Sequence, residues 1–396
     1  MSSGFERGSI VAVDTNAFFG QLLDLDTHLC PSRDTYEQAA GALGKHFSDG
    51  LNEFMKTASK EDAAKIAAMT GNESSVIDEY TIWHTKGAAA PGAFTSSGRL
   101  KVFDKMGVKR GFIFSDPGVQ IAISSTDPIA IPTMHHWNDF VLDYGRENLD
   151  RLRVATILNT FKSQVAIAEA KRVLNMGGRT FVISSAVAPD EQSPASANMD
   201  AFWGLMQESN STVLVHAGET GFLASSNWAT GVNHLGFQPE DIASEGEQIN
   251  TYSLATIHYP VVNLLTTMIL GGVFEKFPRL RFGAIELGAQ WLGPLSVYLD
   301  QMADIYQDRL KSVLSMKPSE YIRRNIRVTP YRFEPIDTMI KNYGLAECYC
   351  YSSDFPHPEG GTHPIQEFAD WIRPLGQKQA EGFFVSNADW VLPALA

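Results

Sequence analysis

Residues 152–184 read LRVATILNTFKSQVAIAEAKRVLNMGGRTFVIS. The stretch opens on a β-branched apolar run, Leu152–Leu158, and closes on another, Thr180–Ser184. Between them Ser163–Asn175 spaces its apolar residues as a helix does, and Gly177 follows where a left-handed cap is wanted. Both runs are largely apolar on two faces, as expected of parallel strands covered by helices. Strand, helix and strand in this order form the crossover unit of α/β proteins.

The alternation continues in both directions. Gln21–Thr27, Arg110–Ser115, Thr212–Val215, Leu280–Ile285, Ile326–Thr329 and Glu347–Ser352 read as further strands. Ser97–Met106, Thr133–Tyr144, Met199–Ser209, Val261–Phe274, Leu292–Leu314 and Pro335–Asn342 read as helices, with Gly107 and Asp200 at cap positions. Eight strands alternating with helices predict a closed (β/α)8 TIM barrel. An open doubly wound sheet would carry a Gly-rich phosphate loop after its first strand, and Asp24–Pro31, DLDTHLCP, is not one. Two segments exceed what a barrel needs: a helical insertion at about 35–96 after strand one, and a Gly/Ser/Asn-rich loop at about 218–252 after strand five. Both overhang the end where barrel chemistry sits. Residues 1–20 are expected to be an N-terminal arm and 21–396 one barrel domain.

Composition narrows the function. The 396 residues carry 32 Lys+Arg against 45 Asp+Glu, a net charge of −13, so no basic field exists for nucleic acid or an anionic membrane. With 23 Phe, 12 Tyr and 7 Trp the chain can bury a large core and is not disordered. Three cysteines make no disulfide framework, which suits a reducing compartment. The start lacks a signal-peptide pattern, and Val261–Phe274 is too interrupted for a membrane span, so a cytoplasmic protein is expected.

The strand ends carry the chemistry. Residues two apart in an extended chain face the same way, so Asp26, His28 and Cys30 are expected to project together from strand one. Strand five ends in His216, strand six in Glu286, and strand eight in Ser353-Asp354-Phe-Pro-His357. One such residue could be a satisfied core group. Acids and imidazoles at four strand ends favour a metal site, because an unpaired carboxylate in an apolar barrel is costly. His258, before the helix leading to strand six, could reach substrate or metal, or could make only a structural hydrogen bond. His357 is read as a brace for Asp354. His46, His84, His135, His136, His234 and His363 have no motif support, and Cys348 and Cys350 are read as packing residues.

These residues resemble those of the amidohydrolase superfamily, in the branch that includes metal-dependent aromatic acid decarboxylases. The resemblance runs through MGVKRGFIF (106–114), NDFVLDYGRENLDRLRVATIL (138–158), AEAKRVLNMGGRTFVIS (168–184) and FWGLMQESNSTVLVHAG (202–218). It is most specific in GGVFEKFPRLRFGAIELGAQWL (271–292) and CYCYSSDFPHPEGG (348–361). It implies a distorted TIM barrel whose metal is held by Asp26, His28, His216 and Asp354. Two positions depart from the pattern. Glu286 stands where many of the decarboxylases have a histidine, and Cys30 stands where related long members continue into Glu-Pro. The second departure resembles a small group of cysteine-ligated non-heme di-iron monooxygenases, in which Cys30 and Glu286 would complete a six-residue set.

Three functions follow as expectations. The first is a di-iron monooxygenase acting on a small carboxylate or amino acid, using O2 and a reductase. The second is a single-metal decarboxylase or hydrolase of a carboxylic acid, with Zn or Mn, in which Asp354 moves the proton. The third is a silent barrel subunit in a homo- or hetero-oligomer with a homologous partner. The first is placed narrowly ahead, with Asp354, Glu286 and His258 as its catalytic residues.

Overall fold

The computed structural model describes residues 12–115, 117–217, 226–232, 234 and 250–395. Every strand pair is parallel. Leu22–Asp24 (β1), Val108–Ile113 (β2) and Leu152–Val154 (β3) form one sheet. Thr156–Ile157 (β4), Thr180–Val182 (β5), Thr212–His216 (β6), Arg281–Ile285 (β7) and Ile326–Val328 (β8) form a second. β3 and β4 are halves of the predicted strand 152–158. The break falls at Ala155, whose N–H donates to the Ile113 carbonyl while its own carbonyl accepts from the Trp137 indole. The chain thereby passes from pairing with β2 to pairing with β5.

The ring is drawn together by bridges rather than by a long ladder. Val328 pairs with Tyr349, Thr27 with Phe355, and the Leu25 N–H donates to the Tyr351 carbonyl. The predicted eighth strand begins instead as a 3-10 turn, Ala346–Cys348, because Cys348 N–H bonds back to Leu345. Beyond it Tyr351 donates to Phe383 of the C-terminal segment. The result is a distorted (β/α)8 barrel.

Helices cover the outside. Ser96–Met106 ends on Gly107 in the left-handed conformation (φ 75°), and Ser163–Asn175 matches its expected bounds. The predicted helix 261–274 is divided by Gly271-Gly272 into Tyr259–Leu270 and Val273–Lys276, and the predicted helix 292–314 ends at Ile305. Thr251–Leu270 is long and apolar enough to cross a membrane by length and composition alone. Here it is interrupted at Ile257-His258, and Val261, Leu264, Leu265, Met268 and Ile269 are buried in the core.

Three strand arginines close the bottom of the barrel. Arg110, Arg153 and Arg327 donate to the carbonyls of Leu392, Pro393 and Asn387, so the C-terminal segment lies across the N-terminal ends of the strands. At the other end the insertion contributes Tyr36–Met55, interrupted at Gly41, with Lys60–Met69 and Glu79–His84. The expected lid at about 218–252 lies largely outside the described residues.

Candidate metal centre

β1 ends at Asp24; the chain bends at Leu25, and Thr27 and His28 are then clamped from both sides. His28 bridges Phe114 beyond β2, the His28 N–H donates to the Phe355 carbonyl (2.7 Å), and the Asp354 N–H donates to the Asp26 carbonyl (2.9 Å). The register of β6 and β7 pairs His216 with Ile285, which puts Glu286 beside His216. Glu286 and Asp354 both adopt left-handed backbone (φ 55° and 52°), a conformation that costs energy for a residue with a side chain and turns each carboxylate sharply at its strand end.

One ligand atom each from Asp26, His28, His216 and Glu286 lie within 4.8 Å of one another, and His28, Asp354 and His357 form a second such group. His28 Nε2 is 3.2 Å from Asp26 Oδ1 and 3.3 Å from Asp354 Oδ1. His216 Nε2 is 3.2 Å from Asp26 Oδ1 and 3.5 Å from Glu286 Oε2. Donors about 2.0–2.2 Å from a common ion stand roughly 3.0–3.5 Å from each other, so these separations are those of a coordination shell.

A carbonyl only accepts, which assigns Nδ1–H as the donor from His28 to Ser115 (3.2 Å) and from His216 to Ala217 (2.7 Å), with the Gln120 amide also 3.2 Å from His216 Nδ1; both Nε2 atoms then turn toward the cluster. His28 Nε2 and both Asp354 carboxylate oxygens are buried without an aligned hydrogen-bond partner among the described residues. Their close contacts are therefore not satisfied hydrogen bonds, and they aim at a shared centre.

The electrostatics ask for a cation. Burial opposes charge throughout the cluster. Even so, His216 and His28 hold Asp26 below the usual carboxylate range, and His357 and His28 do the same for Asp354. Burial and repulsion from Asp354 and Asp26 push Glu286 well up. Burial and His357 disfavour protonated His28, yet Asp26 and Asp354 prevail and push it up to about 10. Asp26 and Asp354 thus recruit protons onto neighbouring imidazoles, while Glu286 is driven toward its neutral form. A divalent ion would supply that charge and leave the imidazoles neutral. Nitrogen and oxygen donors in this mixture suit manganese, iron or zinc.

The other candidates fall in different places. Cys30 is buried, its N–H donates to the Ala93 carbonyl, and its thiol lies against His357 of the second group. His357 lies beside Asp354, where a brace would, and also against His28. Its Nδ1 is 3.2 Å from Asp354 Oδ1, and its ring stacks on His28 at 3.8 Å. His258 is half-buried, held below its ordinary pKa by burial, with its ring against Tyr259; it joins neither group. Cys348 and Cys350 are buried, and both thiols face backbone carbonyls. His135 pairs with Glu169 at 2.8 Å, away from the cluster.

Three supporting residues carried no sequence motif. Glu334 accepts from the N–H groups of Ala289 (2.9 Å), Gln290 (3.1 Å) and Tyr331 (2.8 Å), which ties the loop after Glu286 to the loop after β8. Arg99, wholly buried, donates to the Thr27 hydroxyl and the His28 carbonyl. Asp24 accepts from the N–H groups of Asp26 (3.2 Å) and Ser353 (2.9 Å), joining the two ligand-bearing segments beneath the cluster. Burial pushes Asp24 up to about 7 from an ordinary 3.8. The folded state therefore loses stability as pH rises between those values. Asp24→Asn, which keeps the acceptor, is expected to stabilise the metal-free protein by about 2–4 kcal/mol at pH 8 and by clearly less at pH 5. Urea melts at the two pH values check this, and an equal effect at both would contradict it.

Comparison with known proteins agrees with the architecture. An amidohydrolase from Mycobacterium avium subsp. paratuberculosis K-10 superposes with a TM-score of 0.67 at 16% identity, covering 94% of this chain and 99% of that one. A 5-carboxyvanillate decarboxylase from Novosphingobium aromaticivorans DSM 12444, solved with manganese and 4-hydroxy-3-methoxy-5-nitrobenzoic acid, gives 0.61 at 16%, covering 97% and 99%. A dihydroxybenzoic acid decarboxylase from Polaromonas sp. JS666, solved with manganese and 2-nitroresorcinol, gives 0.59 at 15%, covering 94% and 96%. At these identities the likeness is one of fold. No curated protein matches the chain. Residues 114–393, which hold His216, Glu286, Asp354 and His357, match the amidohydrolase family, and the chain belongs to that family.

Proposed function

We propose that this chain is a metal-dependent enzyme that decarboxylates a small aromatic acid. The observation that carries the reading is the convergence of Asp26, His28, His216, Glu286 and Asp354 with imidazole lone pairs and unaligned carboxylate oxygens turned inward. The metal-bound decarboxylases of like fold support it over the oxygenase placed first from sequence. A manganese or zinc ion held there would supply fixed positive charge for the acid's oxygens. The proton that replaces the carboxyl group on carbon as CO2 leaves would come from the His357 imidazolium, whose Nδ1 is 3.2 Å from Asp354 Oδ1, with the Asp354 carboxylate relaying it. The free thiols fit a cytoplasmic setting.

A second reading, the two-metal oxygenase, is favoured by one contact: Cys30 against His357, which itself groups with His28 and Asp354. Metal analysis of anaerobically purified protein separates the two. Decarboxylation predicts about one manganese or zinc per chain, unchanged by Cys30→Ala, with CO2 released from hydroxybenzoates and lost on chelation. Roughly two irons per chain that fall sharply in Cys30→Ala, with O2 uptake dependent on added reductant, would overturn it in favour of the oxygenase.

A further inference from the structure

A groove of about 500 Å3 lies where the insertion meets the turn after Asp354, and it shares Pro364 with the small cleft beside the metal centre. Glu79, Tyr80, Trp83 and His84, all from the helix Glu79–His84, form one wall, and His363 and Pro364 belong to the other. That volume suits an organic ligand and is far larger than a metal ion needs. Hydrogen bonds beside the groove hold its two walls together. Lys86 Nζ donates to the Gly361 carbonyl (2.6 Å), and the Gly87 N–H donates to the Pro356 carbonyl (3.0 Å).

The rings of the groove meet at a right angle. Tyr80 and His84 stack nearly parallel, with centroids 4.2 Å apart and 7° between their planes. The His363 ring stands at 87° to His84, at 6.3 Å. His84 Nδ1–H donates to the Tyr80 carbonyl (3.0 Å) and His363 Nδ1 pairs with the Thr362 hydroxyl (2.9 Å), so both imidazoles are held in place. The Tyr80–His84 pair has a structural use, since side chains four apart on a helix support one another. That use leaves much of the tyrosine over. His84 covers one face of the phenol, yet Tyr80 stays 69% exposed, and Trp83 of the same wall is only half-buried. Aromatic rings gathered in a solvent-filled groove make a binding surface.

Charge selects what that surface takes. Among the described residues the lining carries one carboxylate, Glu79, and no lysine or arginine. Ring faces present negative charge, and a carboxylate beside them adds to it, so an anion is repelled and a cation attracted. A bare ammonium is strongly hydrated and gains little from a ring. A methylated one is weakly hydrated and can lay its methyl groups on two perpendicular rings at once. We propose that this groove is a binding site for a quaternary ammonium compound, separate from the metal centre. Its occupant touches both the insertion and the turn that leads back to His357 and Asp354, and so strengthens the junction that Lys86 and Gly87 make.

The test is equilibrium dialysis of choline, and of its uncharged isostere 3,3-dimethylbutanol, against the full-length protein at physiological ionic strength, where diffuse attraction to an acidic surface is screened. Choline is expected to bind saturably and roughly 10-fold or more tightly than the isostere. Tyr80→Ala is expected to weaken choline roughly 5- to 30-fold and Glu79→Gln roughly 2- to 5-fold, with metal content and thermal melting unchanged in both. Tyr80→Phe, which keeps the ring, is expected to keep the binding. Three results overturn the proposal. The first is an isostere that binds as well as choline. The second is choline binding that survives both Tyr80→Ala and Glu79→Gln, which places the cation elsewhere on the acidic surface. The third is a groove that ignores choline but takes up zinc in wild type and not in His84→Ala, which marks it as a metal site.

Discussion

His216→Ala is expected to lower metal retention to below about a tenth of wild type and turnover by at least about a thousandfold, while the fold persists. Loss of a group that only orients a metal ligand already costs 10- to 100-fold, and His216 is placed to be a ligand itself. Its Nδ1–H is fixed on the Ala217 carbonyl, so the Nε2 lone pair has one direction, toward Asp26 and Glu286. Removing it leaves those two carboxylates with less opposing charge and a buried gap the size of an imidazole. The strand should survive, because Val213, Leu214 and Val215 keep their burial and β6 keeps its pairing with both neighbours. The measurement is manganese per chain after dialysis, beside thermal melting of the same samples. A His216→Ala protein that melts normally and retains full occupancy would remove this residue from the metal centre.

What the sequence could show follows the range of the interactions involved. Two-residue parity put Asp26 and His28 on one face, and the strand-end positions of His216, Glu286 and Asp354 follow from periodicity that is local to each strand. One step further on, Cys30 N–H bonds to Ala93, sixty-three residues away, and the thiol lies against His357, a contact no local spacing could show. His357 itself was undervalued because its place depends on the turn after Asp354 returning to Asp26. The break at Ala155 is a similar case: an apolar run of seven residues looks like one strand, and only the exchange of partners from β2 to β5 divides it. Glu334 and Arg99 act across loops distant in sequence, where no spacing rule reaches.

Arg99→Met is expected to cost about 3–5 kcal/mol of folding stability, the largest single loss outside the cluster. Arg99 is 0% exposed, and each arm of its guanidinium has a separate acceptor: Nε on the Gly92 carbonyl (2.8 Å), Nη1 on Thr27 Oγ1 (2.9 Å) and Nη2 on the His28 carbonyl. Its carbon lies 5.0 Å from the Phe355 ring centroid. The residue thus joins the helix Ser96–Met106 to the tail of β1 and to the turn that carries Asp354. Methionine fills most of the volume but leaves three acceptors dry, at about 1–3 kcal/mol for each one that water cannot reach. It also loses a desolvated cation–π contact of about 2 kcal/mol. Opposing this, methionine is spared the burial of a charge that has no carboxylate partner, which is why the net falls well below the sum of the losses. Arg99→Lys separates the two contributions, since it keeps the charge but cannot reach three acceptors in one plane. It is expected to fall between methionine and wild type in urea denaturation. If the methionine variant proves as stable as wild type, the desolvation cost equals everything the three hydrogen bonds provide. The arginine would then be kept for the placement of His28, and manganese affinity, measured on the same variant, would still fall.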